Sequence, residues 1–246
     1  MSSQRPPRPA EHADSPVVDS LNDPRAITLL TTEHWSLLSA RSLAYNEAFV
    51  RGGMFLTFLS MSFVGLALLA QAIGFEEGFL GITAIVLLFD LVIGLTTYGR
   101  MLGANLDDLR AVHGMARIRH GYGEIAPIVT PYFTTPMHDD AASVATVYGA
   151  PSGGLAAFGY GLTTSSGMIG LITAMVGGVL ATVLGVVFGL SPAAAVWIGV
   201  GAAALVFGGM VGYTYWAISS GRADLEARFP ATGRQTVIGD ERSSGD

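Results

Sequence analysis

Charged and apolar positions are strongly segregated along this chain. Residues 52–75 contain no charged side chain, residues 78–99 contain one, Asp90, and residues 141–221 contain none. An apolar stretch of about 18 or more residues with almost no charge is typical of a membrane-spanning helix. The pattern therefore predicts one span at 52–74 and a second at 78–99.

The long uncharged stretch has to be divided. Gly189-Leu190-Ser191-Pro192 is a turn signal, which separates a span at 167–189 from one at 193–217. A further span near 149–167 would be long enough, but this segment is rich in Gly and Ser and only weakly apolar. We therefore predict an all-α integral membrane protein with four transmembrane helices in two hairpins.

The arginines predict how these spans are oriented. Five Arg precede the first span, four lie between the second and third, and four follow the last. The loops at Glu76-Glu77 and at 190–192 contain no Arg. Because Lys and Arg accumulate on the cytoplasmic side, this multi-pass protein is expected to have both termini in the cytoplasm. An Ala- and Gly-rich chain without Lys favours a bacterial source, and hence the plasma or inner membrane.

Both helices of the first hairpin are predicted to continue beyond the membrane. A helix capped by Thr31 or Thr32 leads into the first span, and one leaving the second span reaches about residue 124. Each carries a row of mostly apolar residues on one face, at steps of three and four when Ser42 is counted in the first row. These residues are Trp35, Leu38, Tyr45 and Phe49 on the first helix, and Leu102, Leu106, Leu109 and His113 on the second.

The two rows are expected to form the seam of a cytoplasmic antiparallel stalk. They leave the membrane on the same side and have matched lengths, as in a coiled coil of about three heptads. Two amphipathic helices lying on the membrane surface are the alternative. Such surface helices usually carry an excess of basic residues, and these helices do not.

The segments outside the spans complete the predicted organisation. The Pro-rich start and the polar end are expected to be disordered. Pro127, Pro131, Pro136 and Pro151 interrupt the region after the stalk, which has room for a short helix near 139–148. The predicted parts are a tail at 1–30, the first hairpin with its stalk at 31–125, a loop region at 126–166, the second hairpin at 167–218 and a tail at 219–246.

Asp90 is the one charged residue inside a predicted span and is our candidate intramembrane polar site. An acid at the membrane centre costs about 2.5–3.5 kcal/mol and by default suggests a function, such as a station for a proton or cation. The alternative is a neutral carboxyl that is hydrogen-bonded to Ser or Thr on a neighbouring helix.

Spans 3 and 4 carry small residues at steps of four, which allow helix backbones to approach closely. The predicted helix-packing ridges are formed by Gly177, Ala181, Gly185, Gly189, Gly208 and Gly212. They could pack span 3 against span 4 within one chain, or one subunit against another in a homo-oligomer.

Composition narrows the possible chemistry. Only 13% of residues are charged and the mean hydropathy is +0.49, which argues against a soluble protein and leaves the lipid bilayer as the main partner. A net charge of −6 speaks against nucleic acid, and the absence of Cys excludes disulfides and thiolate-bound metals. The histidines and Asp139-Asp140 match no catalytic or metal-binding spacing. We predict no catalytic residue, no cofactor and no metal.

Three functions are compatible with this pattern. The favoured one is a non-enzymatic membrane protein that acts as a scaffold, sensor or assembly component. A homo-oligomeric channel or pore using Asp90 is the alternative. A membrane-bound enzyme is the third and has no motif to support it.

Overall fold

A computed structural model describes residues 23–75, 77–149, 154–220 and 226–231, together with Leu21 and Pro151. This part of the chain is helical and contains no strand. Six α-helices occur in it, and a short 3-10 helix occupies Pro127–Tyr132. The α-helices are α1 (Pro24–Ile73), α2 (Glu77–Ile125), α3 (Ala141–Tyr148), α4 (Gly154–Thr163), α5 (Ser165–Val187) and α6 (Pro192–Ser220).

Within the described residues, four helices are long and apolar enough to cross a membrane: α1, α2, α5 and α6. Each contains or nearly coincides with one predicted span, so the prediction of an all-helical chain with four such segments is confirmed. The helix α4 lies in the region predicted to be loop. It has ten residues, and at about 1.5 Å per residue it is too short to cross a hydrocarbon core of about 30 Å.

The helix α1 begins at Pro24, about two turns earlier than the predicted caps Thr31 and Thr32. Asp23 caps it, because its carboxylate accepts a hydrogen bond from the N–H of Arg25 at 2.8 Å. Proline suits the first position of a helix, where its missing N–H is not needed. The predicted tail at 1–30 otherwise lies mostly outside the described residues, as do 221–225 and 232–246 of the tail at 219–246.

The helix α2 packs against both α1 and α5, and α5 packs in turn against α6. The apolar core between them consists of buried residues from all four helices. They are Phe55, Leu59, Leu87, Tyr98, Met101, Ile169, Val176, Leu180 and Met210. The Tyr98 hydroxyl also donates a hydrogen bond to the carbonyl oxygen of Met210 at 3.1 Å, which links α2 to α6.

The closest approach between α5 and α6 occurs at glycines. A Cβ placed on Gly178 would lie 2.8 Å from the carbonyl oxygen of Gly199, and one on Gly199 would meet the Thr182 side chain. Of the predicted ridge, Gly177 faces Val206 and Gly185 faces Ala195, both on α6.

The other predicted ridge residues take different positions. A Cβ added to Gly208 or Gly212 would have no neighbouring atom within 4 Å among the described residues, so these glycines are not where α6 meets α5. Ala181 is partly buried in α5. Gly189 follows the end of α5 and has a φ of 82°, a left-handed conformation that glycine adopts without strain.

Candidate functional site

The part of α1 before its apolar span contacts α2 mainly through a different face from the predicted seam, of which the Tyr45 hydroxyl still reaches α2. Its less exposed positions are His34, Leu37, Arg41, Ala44 and Ala48, at steps of three and four that continue into buried Gly52 and Phe55. Trp35 is 63% exposed and Phe49 67%, while Leu38 and Tyr45 are about 40% exposed. The face in contact is therefore rotated by one residue, roughly 100°, from the row of large apolar residues.

On α2, the predicted row is divided among several neighbours. Leu102 and His113 are buried, whereas Leu106 and Leu109 are partly buried. Val112, Met115 and Val144 form a buried cluster, and both Leu109 and Leu37 of α1 pack against it. The predicted seam residues of the two helices are thus not brought together as one set.

Asp108 stands at the centre of a polar network that joins three helices. It is 3% exposed and lies on α2. Arg41 of α1 donates a hydrogen bond from Nε to its Oδ1. Its Oδ2 accepts from the hydroxyls of Tyr45, at 3.0 Å, and Tyr148 of α3, at 2.7 Å. The guanidinium of Arg41 also lies over the rings of Tyr45 and Tyr148, with its Cζ 5.7 and 6.0 Å from their centroids.

The electrostatics of this network favour one protonation state. Burial raises the pKa of the Tyr148 hydroxyl, and its hydrogen bond to the Asp108 carboxylate raises it further. Burial acts to lower the pKa of Arg41, but hydrogen bonds to Tyr45 and Asp108 raise it overall. Asp108 thus accepts hydrogen bonds from two neutral phenols and one guanidinium.

A second buried carboxylate, Asp139, holds a segment that follows α6. Asp139 is completely buried and accepts a hydrogen bond from Arg117 Nε at 2.7 Å. It also accepts from the backbone N–H of Arg228 at 3.0 Å and of Phe229 at 2.8 Å. The ring of Phe229 stacks on His120 with centroids 4.2 Å apart. Residues 226–231, predicted as part of a disordered tail, are therefore fixed against α2 and the loop before α3.

The hydrogen bonds to Asp139 also determine its ionisation. Burial acts to raise the pKa of this carboxyl, but the hydrogen bonds from Arg117 and from the N–H groups of Arg228 and Phe229 lower it to about 2. The next residue, Asp140, caps α3 by accepting from Ser143 and also accepts from the N–H of Ala231 at 3.2 Å. The predicted short helix near 139–148 is confirmed by α3 and its cap.

Asp90, the candidate intramembrane site, lies inside the helix bundle. Its side chain is completely buried, and Oδ1 accepts a hydrogen bond from Ser62 of α1 at 3.0 Å. Oδ2 has no hydrogen-bond partner among the described residues. The carboxyl is therefore enclosed between helices of one chain rather than presented on its surface.

The histidines do not assemble a metal site in the described part of the chain, where no group of three or more His, Cys, Asp or Glu side chains has suitable geometry. His120 and His138 come within 6.2 Å of each other, ring to ring, and His34 lies 6.2 Å from the Tyr122 ring. His113 donates from Nδ1 to the carbonyl oxygen of Leu109 at 2.9 Å, since a carbonyl can only accept.

Arg41, Asp108 and Arg117 are organising residues that the sequence pattern did not single out. A signal was available, because Arg41 occurs in a row with Leu37, Ala44 and Ala48 at helical spacing. A charge within a row of small and apolar residues indicates a buried partner, whereas a search for the largest apolar residues selects the neighbouring face. No protein-family model, curated protein or solved structure matches the chain.

Proposed function

We propose that this chain is a non-enzymatic, multi-pass assembly component of the plasma or inner membrane of a bacterium. Both termini lie in the cytoplasm, and copies associate through the outward face of α1. The observation that carries this proposal is the exposed row of Trp35, Leu38, Tyr45 and Phe49 on the part of α1 outside its span.

An antiparallel cytoplasmic stalk made of α1 and α2 is part of the proposal. Several contacts support it, since residues later in α1 meet residues earlier in α2. Leu37 approaches Gly114, Arg41 binds Asp108, and Gly52 lies beside Met101. The Asp108 network then ties this stalk to α3.

The exposed row fits a helical partner. Together with Ser42, its residues recur at steps of three, four, three and four, the spacing that two packed helices share. Large apolar residues grouped on a surface that faces water usually mark an interaction site. The first and last residues of the row, Trp35 and Phe49, are aromatic and exposed, and pairing would remove them from water.

A second copy of the chain is the partner that the membrane favours. Two copies inserted in the same direction present parallel α1 helices, so each residue of the row faces its own counterpart. The same face continues into the span at Gly53, Leu56, Ser60 and Phe63, all exposed in the single chain. A pair of copies can therefore meet along α1 from the stalk into the bilayer.

The arrangement of the carboxylates favours this role over an enzyme or a pore. Asp108 and Asp139 are each held by three donors, so their charges are used to join parts of the chain. Asp90 is enclosed within a single chain, where it does not face a path that several copies could line. A structural carboxyl bonded to Ser62 accounts for its position.

Disulfide cross-linking tests the proposed interface without background, because the chain has no Cys. We expect Leu38→Cys to form a cross-linked dimer on mild oxidation in native membranes. Parallel packing along the row brings the two Cα atoms within the roughly 7 Å that a disulfide requires. Ala40→Cys is the matched control, since it is exposed on α1 but outside the row. Equal yields from the two variants, or no dimer from Leu38→Cys, would contradict the proposal.

A further inference from the structure

Two cavities lie side by side along α2, where it leaves its apolar span. One has a volume of ≈ 530 Å³ and the other ≈ 1050 Å³. Small-molecule sites are commonly about 300–1,000 Å³. Both cavities are lined by Asn105, Leu109, Tyr148, Tyr160, Thr164 and Ile218, so they adjoin. From Tyr98 to His113 the two extend along α2 for about 22 Å.

The two ends of this space differ in polarity. The smaller cavity lies between α2, α4 and α6, and its lining contains no charged side chain among the described residues. Apolar side chains such as Leu102, Phe158, Phe207 and Val211 form much of its wall. The larger cavity reaches Asp108, His113 and Asp140 outside the span. An elongated ligand with one apolar and one polar end matches this gradient.

The charges in the lining are already satisfied, which argues for an uncharged head group. Asp108 is bound by Arg41 and two tyrosines, and Asp140 is bound by Ser143 and the N–H of Ala231. A cationic head would have to displace these donors, and an anionic head would lie beside two carboxylates. Both would incur the cost of a poorly compensated buried charge.

His113 supplies an unused hydrogen-bond acceptor at the polar end. Its side chain is 94% buried, since 6% is exposed, and it lines the larger cavity. Nδ1 is occupied as the donor to Leu109, which leaves Nε2 of the neutral ring as an acceptor without a partner among the described residues. Two turns earlier on α2, Asn105 uses its amide N–H to bind Ser166. Its carbonyl oxygen is a second acceptor beside the same cavity.

We propose that these cavities bind an uncharged amphiphile whose head group donates hydroxyl hydrogen bonds, with its chain between α2, α4 and α6 and its head at His113. A neutral lipid with a free hydroxyl has this chemistry. The ligand would bridge the apolar spans and the Asp108 network, because Tyr148 lines both cavities and binds Asp108.

Thermal unfolding of the full chain in detergent, with 1-monoolein as the probe, tests this proposal. A ligand that binds only the folded state raises the melting temperature. At concentrations well above Kd, the stabilisation grows with the logarithm of the ligand concentration. We expect 1-monoolein to raise it and equal micellar fractions of oleic acid or oleylamine to have much smaller effects. Equal stabilisation by all three would overturn the uncharged, hydroxyl-bearing head group.

Two pairs of variants locate the binding. Ala157→Trp fills the smaller cavity and should abolish the shift, whereas Ala156→Trp, exposed on the same helix but outside the lining, should retain it. His113→Phe keeps a ring but removes the acceptor and should weaken binding about three- to tenfold, the worth of one hydrogen bond. His34→Phe, outside the cavities, is its control.

The outcome remains clear if Ala157→Trp fails to fold, which circular dichroism and size exclusion would reveal. The His113→Phe and His34→Phe pair then decides the result, because both keep the cavity volume nearly constant. Equal shifts in these two variants and the unchanged chain would overturn the assignment of the head group to His113. A shift retained in a folded Ala157→Trp variant would overturn the assignment of the cavity itself.

Discussion

Asp108 is the residue at which α1, α2 and α3 meet outside the apolar spans. Its carboxylate binds one guanidinium and two hydroxyls from the other two helices. Removing one partner of such a buried group leaves the others without a counter-charge, which costs more than the interaction itself contributes. The stability of this region should therefore depend on one side chain.

We expect Asp108→Asn to lower the free energy of unfolding by about 1–3 kcal/mol, because Arg41 loses its counter-charge while the side-chain volume is kept. Asp107→Asn is the control on the neighbouring face. Asp107 forms an exposed i,i+3 pair with Arg110, and such pairs contribute about 0–1 kcal/mol. Thermal unfolding in detergent measures both, and equal losses would show that the network does not organise the stalk.

Asp139 makes the docking of residues 226–231 dependent on pH. Its pKa in the folded chain is about 2, below the value of about 3.9 in an unfolded chain. A lowered pKa contributes stability that is complete above the unfolded value and is lost as the pH falls through the folded value. The segment should therefore stay docked at neutral pH and come loose between about pH 4 and pH 2.

A fluorophore on Ala231→Cys follows this release through its anisotropy, since the chain has no other cysteine. Anisotropy should fall as the pH drops from about 4 to 2. In an Asp139→Asn background it should already be lower at neutral pH and respond less to acid, because only Asp140, which accepts from the N–H of Ala231, then titrates beside the segment. A pH response that is the same in both backgrounds would assign the release to other acids.

At the scale of elements, the four apolar spans and the length of α2 could be predicted from the sequence, but the start of α1, the helix α4 and the faces by which the helices pack could not. A long apolar stretch with almost no charged residue identifies a span, and all four helices contain such a stretch. The contacting face of α1 is offset by one residue from the predicted row, because Trp35 and Phe49 are exposed and only the Tyr45 hydroxyl of that row binds a side chain of α2. The contacting face carries Arg41, Ala44 and Ala48. One charged and two small side chains do not form a row of large apolar residues.

The same reason explains why the site was only partly predicted. Asp90 stands out because every neighbouring position is apolar. Asp108 and Asp139 each lie next to another aspartate outside the apolar spans, and most of their partners come from distant parts of the chain. Pairing between residues 89 or 90 positions apart cannot be read from local spacing.

Two glycines of α6 provide a matched test of how α5 and α6 pack. Gly199→Ala should destabilise by about 1–3 kcal/mol, because the new methyl group would meet Thr182 and the backbone of Gly178. Gly208→Ala has open space and should be neutral or stabilise by up to about 1 kcal/mol through better helix propensity. Comparable melting temperatures for the two variants would contradict the close approach at Gly199.

At the scale of the whole molecule, the proposed topology places the start of α1, the end of α2 and the end of α6 on the same side of the membrane. The Arg distribution favours this arrangement, with Arg-free loops at Glu76-Glu77 and at 190–192 on the opposite side. The helix α4 is too short to change the number of crossings, since ten residues extend only about 15 Å.

Cysteine labelling in intact cells tests this topology. An impermeant maleimide should label Ser191→Cys, between α5 and α6, without any treatment. Ala40→Cys on α1 and Ala231→Cys after α6 should react only once the cells are made permeable, since both are exposed residues on the proposed cytoplasmic side. Labelling of Ala231→Cys alone in intact cells would imply an odd number of crossings. Asp139 and residues 226–231 would then lie on opposite sides of the membrane, which would contradict the hydrogen bonds between them.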